Sequence, residues 1–181
     1  MKIEEIIQER RTIHRFLNEP VDTELLSEAL DLARWAPNHK NTEPWRFAHI
    51  GPEVKEQILQ LNLGLDPNMG SLKKEKMIHN YRSKHSLLAL GCTRSENIKE
   101  SRENYASVAC GVQNISLYLW AKGLGCKWST GRITEQIELY EWIKWSSAEI
   151  EIVGFLWVGK PEIIPPAPKR KGLEQVLINT P

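Results

Sequence analysis

The chain has 181 residues, a length that fits one domain with a sizeable buried core. Its 24 Lys and Arg residues nearly balance its 23 Asp and Glu residues, which gives a formal net charge of +1. Overall charge therefore gives no reason to expect a nucleic acid or an anionic membrane as a partner.

Cysteine usage and hydropathy point to a cytoplasmic protein. The three cysteines, Cys92, Cys110 and Cys126, lack C-x-x-C spacing, which argues against a disulfide framework and against a zinc site. The N-terminus has no apolar core of the kind found in signal peptides. No apolar run approaches the ~20 residues that span a bilayer, so we expect reduced thiols and no membrane segment.

The first half of the chain alternates helical and strand patterns. In order, it predicts a short amphipathic N-terminal helix that ends at two arginines, a helix from the N-cap Asp22 to Pro37, a strand over 45–51, a helix of about three turns from Pro52, a lysine-rich helical segment over 70–84 and a strand over 85–93.

The second half predicts a long helix over 101–122, a short strand or turn over 126–131, a helix over 134–145, a strand over 149–161 and an extended tail over 162–181. The elements do not alternate regularly, so an α+β fold is favoured over a doubly wound one. The glycines at 123–125 follow a helix and lack the G-x-G-x-x-G spacing, so a Rossmann site is not supported. We expect one domain over 1–181.

Two polar segments are candidates for binding. The sequence "RRTIHRF" brings Arg10, Arg11 and Thr12 together, a set whose guanidinium forks and hydroxyl suit a phosphate monoester. This cluster alone does not establish a phosphate site, because basic clusters are commonly solvated and arginines also complement the dipole at a helix C-terminus. The second segment, residues 38–43, is a polar run between Pro37 and Pro44. Both prolines restrict the chain, so this run should form a defined loop.

Four motifs in order, "RRTIHRF", "APNHKNTEPWRF", "VGFLWVGKP" and "PPAPKRKGLEQVL", span essentially the whole chain. Together they resemble the FMN-dependent nitroreductase family, in particular its short members. The resemblance implies a central, mostly antiparallel sheet flanked by helices. It also implies a homodimer in which the C-terminal tail extends over the partner subunit.

The resemblance implies a phosphate end of the cofactor site. Arg10, Arg11 and Thr12 stand where the family's "RRS" holds the FMN phosphate and ribityl chain. Arg170 matches a family arginine that usually joins this site. His14 stands where many members have Lys or Arg, so a contact there is expected to depend on pH near neutrality.

The resemblance also implies a ring end. His39 and Asn41 match a segment that reaches over the flavin bound mainly by the other subunit. Glu43 replaces the usual glutamine, and Trp35 is expected to pack against the ring. The segment that approaches the isoalloxazine edge corresponds to Trp128, Ser129, Thr130 and Gly131.

The implied function is reduction of a small-molecule acceptor, a nitroaromatic, quinone or enone, with NADH or NADPH as donor in a ping-pong scheme. The flavin carries the chemistry, so no catalytic side chain and no metal site are predicted. Two alternatives stay open: a non-catalytic flavin-binding or sensory protein of the same fold, and a flavin-fragmenting or dehydrogenating enzyme.

Overall fold

The structure is a computed structural model that describes residues 2–84 and 86–180. Met1, His85 and Pro181, which belong to the predicted domain, strand and tail respectively, lie outside the described residues. The helices are α1 (Ile3–Glu9), α2 (Thr23–Ala33), α3 (Pro52–Gly64), α4 (Ser71–Arg82), α5 (Ile98–Ala121) and α6 (Glu138–Ile143), and the strands are β1 (Trp45–His49), β2 (Ser86–Thr93), β3 (Gly125–Ser129) and β4 (Ile150–Gly159).

The four strands form one sheet in the order β1-β2-β4-β3, and every neighbouring pair is antiparallel. The predicted α+β fold with an antiparallel sheet is confirmed. Of the segment over 126–131, predicted as a strand or a turn, the residues up to Ser129 belong to the edge strand β3, which begins at Gly125. The predicted strands and most predicted helices are present within a few residues of their expected bounds.

Three helix bounds differ from the prediction. The helix expected to reach Pro37 ends at Ala33, and residues 34–36 continue as a tighter turn with i to i−3 hydrogen bonds because a following proline disfavours the α conformation. Helix α5 begins at Ile98 rather than at residue 101, since the side chain of Asn97 caps its first turn.

The helix predicted over 134–145 covers only Glu138–Ile143. Thr134 donates both its N–H and its hydroxyl to the carbonyl of Gly131, and this local bonding favours a short 3-10 turn over an α-helix. At the other end, Lys144 adopts left-handed dihedrals with φ 61°, which stops the helix.

The sheet has a buried core on each face. Helices α2 and α5 cover one face, where Trp45, Leu88, Val108, Ile115 and Leu156 are buried together. Helices α3, α4 and α6 cover the other face, whose core is built from Ile58, Leu59, Leu87, Leu139, Phe155 and Trp157. Side chains alternate between the faces along each strand, so β3 sends Cys126 to the first core and Lys127 towards the second.

The segment that follows α1 runs along the open edge of the sheet. Thr12 pairs with Cys126 in an isolated bridge, Ile13 N–H donates to the Cys126 carbonyl at 3.0 Å, and Phe16 pairs with Pro161. Ile13 is fully buried. These contacts fix the residues on either side of Ile13 against β3.

The tail over 162–180 is largely exposed and contains one short 3-10 turn, Leu173–Gln175. Its start is attached by the Arg15–Glu162 ion pair at 2.7 Å. Within the described residues, no helix is both long enough and apolar enough to cross a membrane. The path of the tail over a partner subunit stays a prediction.

Candidate functional site

The segment that follows α1 borders a small cavity between α5 and β3. Arg10 and Thr12 line it together with Cys126, Trp128 and Gln113 of α5, and its volume is about 180 Å³. The indole N–H of Trp128 donates to the Val153 carbonyl at 3.2 Å, which fixes the ring. Three of the predicted site residues therefore share one cavity.

Both arginines carry buried donors that the chain does not satisfy. The Nε atoms of Arg10 and Arg11 are buried, and neither has a hydrogen-bond partner among the residues that the structure describes. Nη1 of Arg11 donates to the carbonyls of Gln8 (2.6 Å) and Arg10 (2.9 Å), which holds that side chain in place. A buried donor without a partner costs about 1–3 kcal/mol, and an anion with several oxygens would remove that cost.

A second cavity, of about 310 Å³, lies on the other side of β3, against α4. We call it the lysine cavity because Lys73, Lys76, Lys84 and Lys127 line it, together with Ser129 and Thr130 of the predicted site. The hydroxyl of Ser129 accepts a hydrogen bond from the indole N–H of Trp157 at 3.2 Å. The predicted "WSTG" segment thus contributes to both cavities.

Lys84 is the most unusual group in the lysine cavity. Its residue is only 5% exposed, and its Nζ lies 4.9 Å from the centre of the Trp157 ring and 5.6 Å from that of Phe16. Burial first, and then the charge of Lys127, lower the pKa of Lys84 from 10.5 to about 8. At neutral pH most of the population therefore carries a charge that water barely reaches.

His14 lies beside the same lysines. Its pKa is lowered from the ordinary histidine value, first by desolvation and then by the charges of Lys127, Lys84 and Lys76. The positive charges felt by this imidazole thus come from the lysine cavity. Its expected contact with a phosphate stays a prediction.

The polar loop over 38–43 has one defined conformation, as the two prolines suggested. Asn38 fixes it with three hydrogen bonds: its Nδ2 donates to the hydroxyls of Thr42 (3.0 Å) and Ser107 (3.2 Å), and its Oδ1 accepts from Glu43 N–H (2.8 Å). Thr42 in turn donates to Asn104 at 2.6 Å. The loop is therefore attached to the first turns of α5.

The loop residues expected to meet a cofactor point outward. His39, Lys40 and Asn41 are exposed, and Lys40, Asn41 and Glu43 have positive φ values of 58°, 51° and 47°, a conformation that non-glycine residues rarely adopt. His39 Nε2 lies 4.0 Å from a Glu103 oxygen. Residues in strained conformations on a fixed loop are typical of binding sites. What His39 and Asn41 bind stays a prediction.

The predicted residues do not all converge within one chain. Arg10, Thr12 and Trp128 share one cavity, and Ser129 and Thr130 line the other. Gly131, with φ 128°, follows them at a sharp change of direction. Seven residues of the predicted set line neither of these two cavities: Arg11, His14, Trp35, His39, Asn41, Gly131 and Arg170. Trp35 is 79% exposed.

Sequence reasoning missed Lys84 and Lys127, which define the lysine cavity, and Tyr105, whose ring centre lies 6.5 Å from that of Trp128. Lys127 could have been found, because it alternates with Trp128 on β3 and shares a face with Ser129. Lys84 could not, since its side chain meets the rings of Phe16 and Trp157, which are distant from it in the sequence.

Comparison with known proteins agrees with this architecture. The sequence model described as "Nitroreductase family" matches residues 7–160. The chain belongs to the nitroreductase family. This confirms the resemblance inferred from the four sequence motifs.

Individual relatives cover nearly the whole nitroreductase chain. It is 27% identical over 173 residues to YfhC of Bacillus subtilis, an alignment that covers 93% of this chain and 89% of YfhC. It is 30% identical over 163 residues to YdjA of Escherichia coli, and this alignment covers 88% of each protein. Both relatives are named as NAD(P)H nitroreductases.

Solved structures share the fold over its full length. A nitroreductase-like family protein from Bacillus cereus superposes with a TM-score of 0.86 at 25% identity, covering 99% of this chain and 96% of that one. A protein from Desulfovibrio desulfuricans, described as a nitroreductase in complex with FMN, has a TM-score of 0.79 at 23% identity, with coverage of 100% and 98%. At that identity the second likeness concerns the fold alone.

Proposed function

We propose that this nitroreductase family member is an FMN-dependent oxidoreductase that uses NADH or NADPH to reduce small electrophilic acceptors such as nitroaromatics and quinones. The names of YfhC and YdjA and the FMN complex of the Desulfovibrio protein support the class of reaction and the cofactor. The observation that carries the proposal is the buried guanidinium nitrogen of Arg10, which lines the cavity, together with that of the adjacent Arg11. Neither nitrogen has a hydrogen-bond partner among the described residues.

The residues present fit the cofactor. Arg10 and Arg11 would bind the phosphate through nitrogens that lack a protein acceptor, and the Thr12 hydroxyl beside them adds a further donor. Trp128, held by its bond to Val153, would form an apolar wall beside the ring. FMN, when bound, supplies the hydride and electron transfer, so the chain needs only to bind, orient and shield the reactants.

We also infer that the protein acts as a homodimer. Trp35 is 79% exposed and Tyr105 is 47% exposed, and α5 exposes Ala106 and Cys110 beside Tyr105. Large exposed apolar groups next to small ones indicate a surface that another chain can approach closely. A partner would also meet the outward-facing loop residues His39 and Asn41. A monomer by light scattering that still binds FMN tightly would contradict this inference.

The proposed function is tested by mixing the FMN-loaded protein with NADH or NADPH without oxygen and following the flavin absorbance. A reductase loses its yellow colour with at least one donor within minutes and regains it when a nitroaromatic or quinone is added. Bound FMN that neither donor bleaches would support the alternative, a flavin-binding protein without reductase activity.

A further inference from the structure

The lysine cavity carries several positive charges that the proposed phosphate site does not use, because that site lies on the other side of β3. None of the residues that line it is a carboxylate, whereas Lys73, Lys76, Lys84 and Lys127 all border it. Lys73 is 3.0 Å from an Asp66 oxygen. Within the described residues, Lys76, Lys84 and Lys127 take part in no ion pair, so their charges are left for a ligand.

Lys84 provides the second observation, because it is a buried cation with no anionic partner among the described residues. Burial of an unpaired charge is unfavourable, and the aromatic faces of Trp157 and Phe16 compensate only in part. Lys84 is one of the residues that line the cavity. An anionic ligand at this point would supply the counter-charge that Lys84 does not receive from the part of the chain that the structure describes.

The remaining walls indicate what is attached to that anion. Tyr81, Phe155 and Trp157 give the cavity aromatic surface, and Tyr81 stacks edge-on against Trp157 with ring centres 4.9 Å apart. Its volume of about 310 Å³ lies at the lower end of the range for ligand pockets, ~300–1,000 Å³. That size suits a single-ring acid better than a dinucleotide.

We propose that the lysine cavity binds the carboxylate of a monocyclic aromatic acid, with Lys84 and Lys76 as its counter-charges and Trp157 beside its ring. As a statement about the electron acceptor, this inference rests on the proposed function, since Ser129 and Thr130 link the cavity to the predicted flavin segment. As a statement about binding, it can be tested without any turnover.

The test compares 4-nitrobenzoate with its uncharged analogue 4-nitrobenzamide by calorimetric titration of the protein as purified, without a nicotinamide donor. We expect the acid to bind at least tenfold more tightly than the amide. In Lys84→Met the ratio of the two affinities should fall towards one, and in Lys76→Gln it should fall several-fold. Lys74→Gln, on the same helix but outside the cavity, should keep the wild-type ratio.

Three results would overturn the proposal. The first is equal affinity for acid and amide in the wild-type protein. The second is a fall in the acid-to-amide affinity ratio that is as large in Lys74→Gln as in Lys76→Gln. This result would indicate that the acid is attracted by the general charge of the surface rather than by the cavity. The third is an unchanged acid-to-amide ratio in Lys84→Met. If this variant also binds NADP⁺ more weakly than the wild type does, the cavity belongs to the phosphate of the donor. Failure of the proposed function would instead appear as a protein that takes up no flavin.

Discussion

Replacing Lys84 by Met should stabilise the protein at pH 7. The pKa of Lys84 falls from 10.5 to about 8 on folding, and this difference corresponds to a cost of about 3 kcal/mol for keeping the group charged. We therefore expect Lys84→Met to raise the free energy of unfolding by up to about 3 kcal/mol, as for other residues kept at a cost in stability.

The stability of the wild type should depend on pH, because Lys84 titrates at a lower pH in the folded protein than in the unfolded chain. Below pH 8 the lysine is protonated in both states, so the wild type bears the full cost. Between pH 8 and pH 10.5 the unfolded chain binds more protons than the folded one, so wild-type stability rises with pH in this window. The other groups facing Lys84 are common to both proteins and cancel in the difference: Lys55, Lys73, Lys76, Lys127, Tyr81 and His14.

The assay is urea unfolding of the wild type, Lys84→Met and the surface control Lys74→Met at pH 7 and pH 10. The advantage of Lys84→Met should be present at pH 7 and should largely disappear at pH 10, while Lys74→Met should match the wild type at both. A variant less stable than the wild type at pH 7, or an advantage that does not change with pH, would refute the reasoning.

Three further changes test other parts of the structure. Arg10→Ala with Arg11→Ala should raise the dissociation constant for FMN more than a hundredfold in a flavin titration, because each lost charge-assisted bond is worth about 1.5–3 kcal/mol. Gly154→Ala should destabilise the fold by about 2 kcal/mol or more and change Trp128 fluorescence, since its φ is 152° and the added Cβ would lie 2.1 Å from the indole Nε1 of Trp128. Asn38→Ala removes three hydrogen bonds and should lower the free energy of unfolding by about 2 kcal/mol.

Matched controls separate these effects from general charge or surface changes. Arg15→Ala removes a neighbouring cation whose guanidinium pairs with exposed Glu162, and it should leave FMN affinity within a few-fold of wild type. Lys40→Ala removes only a long ion pair to Glu100 at 3.9 Å, and it should cost less than Asn38→Ala. Equal losses in a control and its matched variant would contradict the assigned role.

Much of the fold could be predicted because its signals are local. The continuous apolar run of β2, the N-cap Asp22 and the proline at the start of α3 each fix an element from a few neighbouring residues. The helix bounds that were wrong depend on side-chain hydrogen bonds to the backbone that compete with or extend the helix. Thr134 bonding back to Gly131, and the cap supplied by Asn97, depend on side-chain geometry that periodicity does not contain.

The candidate site was only partly predictable, for a related reason. Arg10 and Thr12 stand two apart in an extended segment, so their shared cavity follows from local geometry once that segment pairs with β3. Lys84 becomes a site residue only when distant aromatic groups enclose it, and no pattern near it in the sequence signals this. The roles expected of Trp35, His39 and Asn41 stay predictions, because they would require the second subunit of the proposed homodimer.

The most direct test of the central claim is the visible absorption spectrum of the purified protein after incubation with FMN and removal of the free cofactor, followed by addition of NADH or NADPH without oxygen. The account predicts a yellow protein that retains close to one FMN per chain and is bleached by at least one donor. A colourless protein that retains no FMN would contradict it.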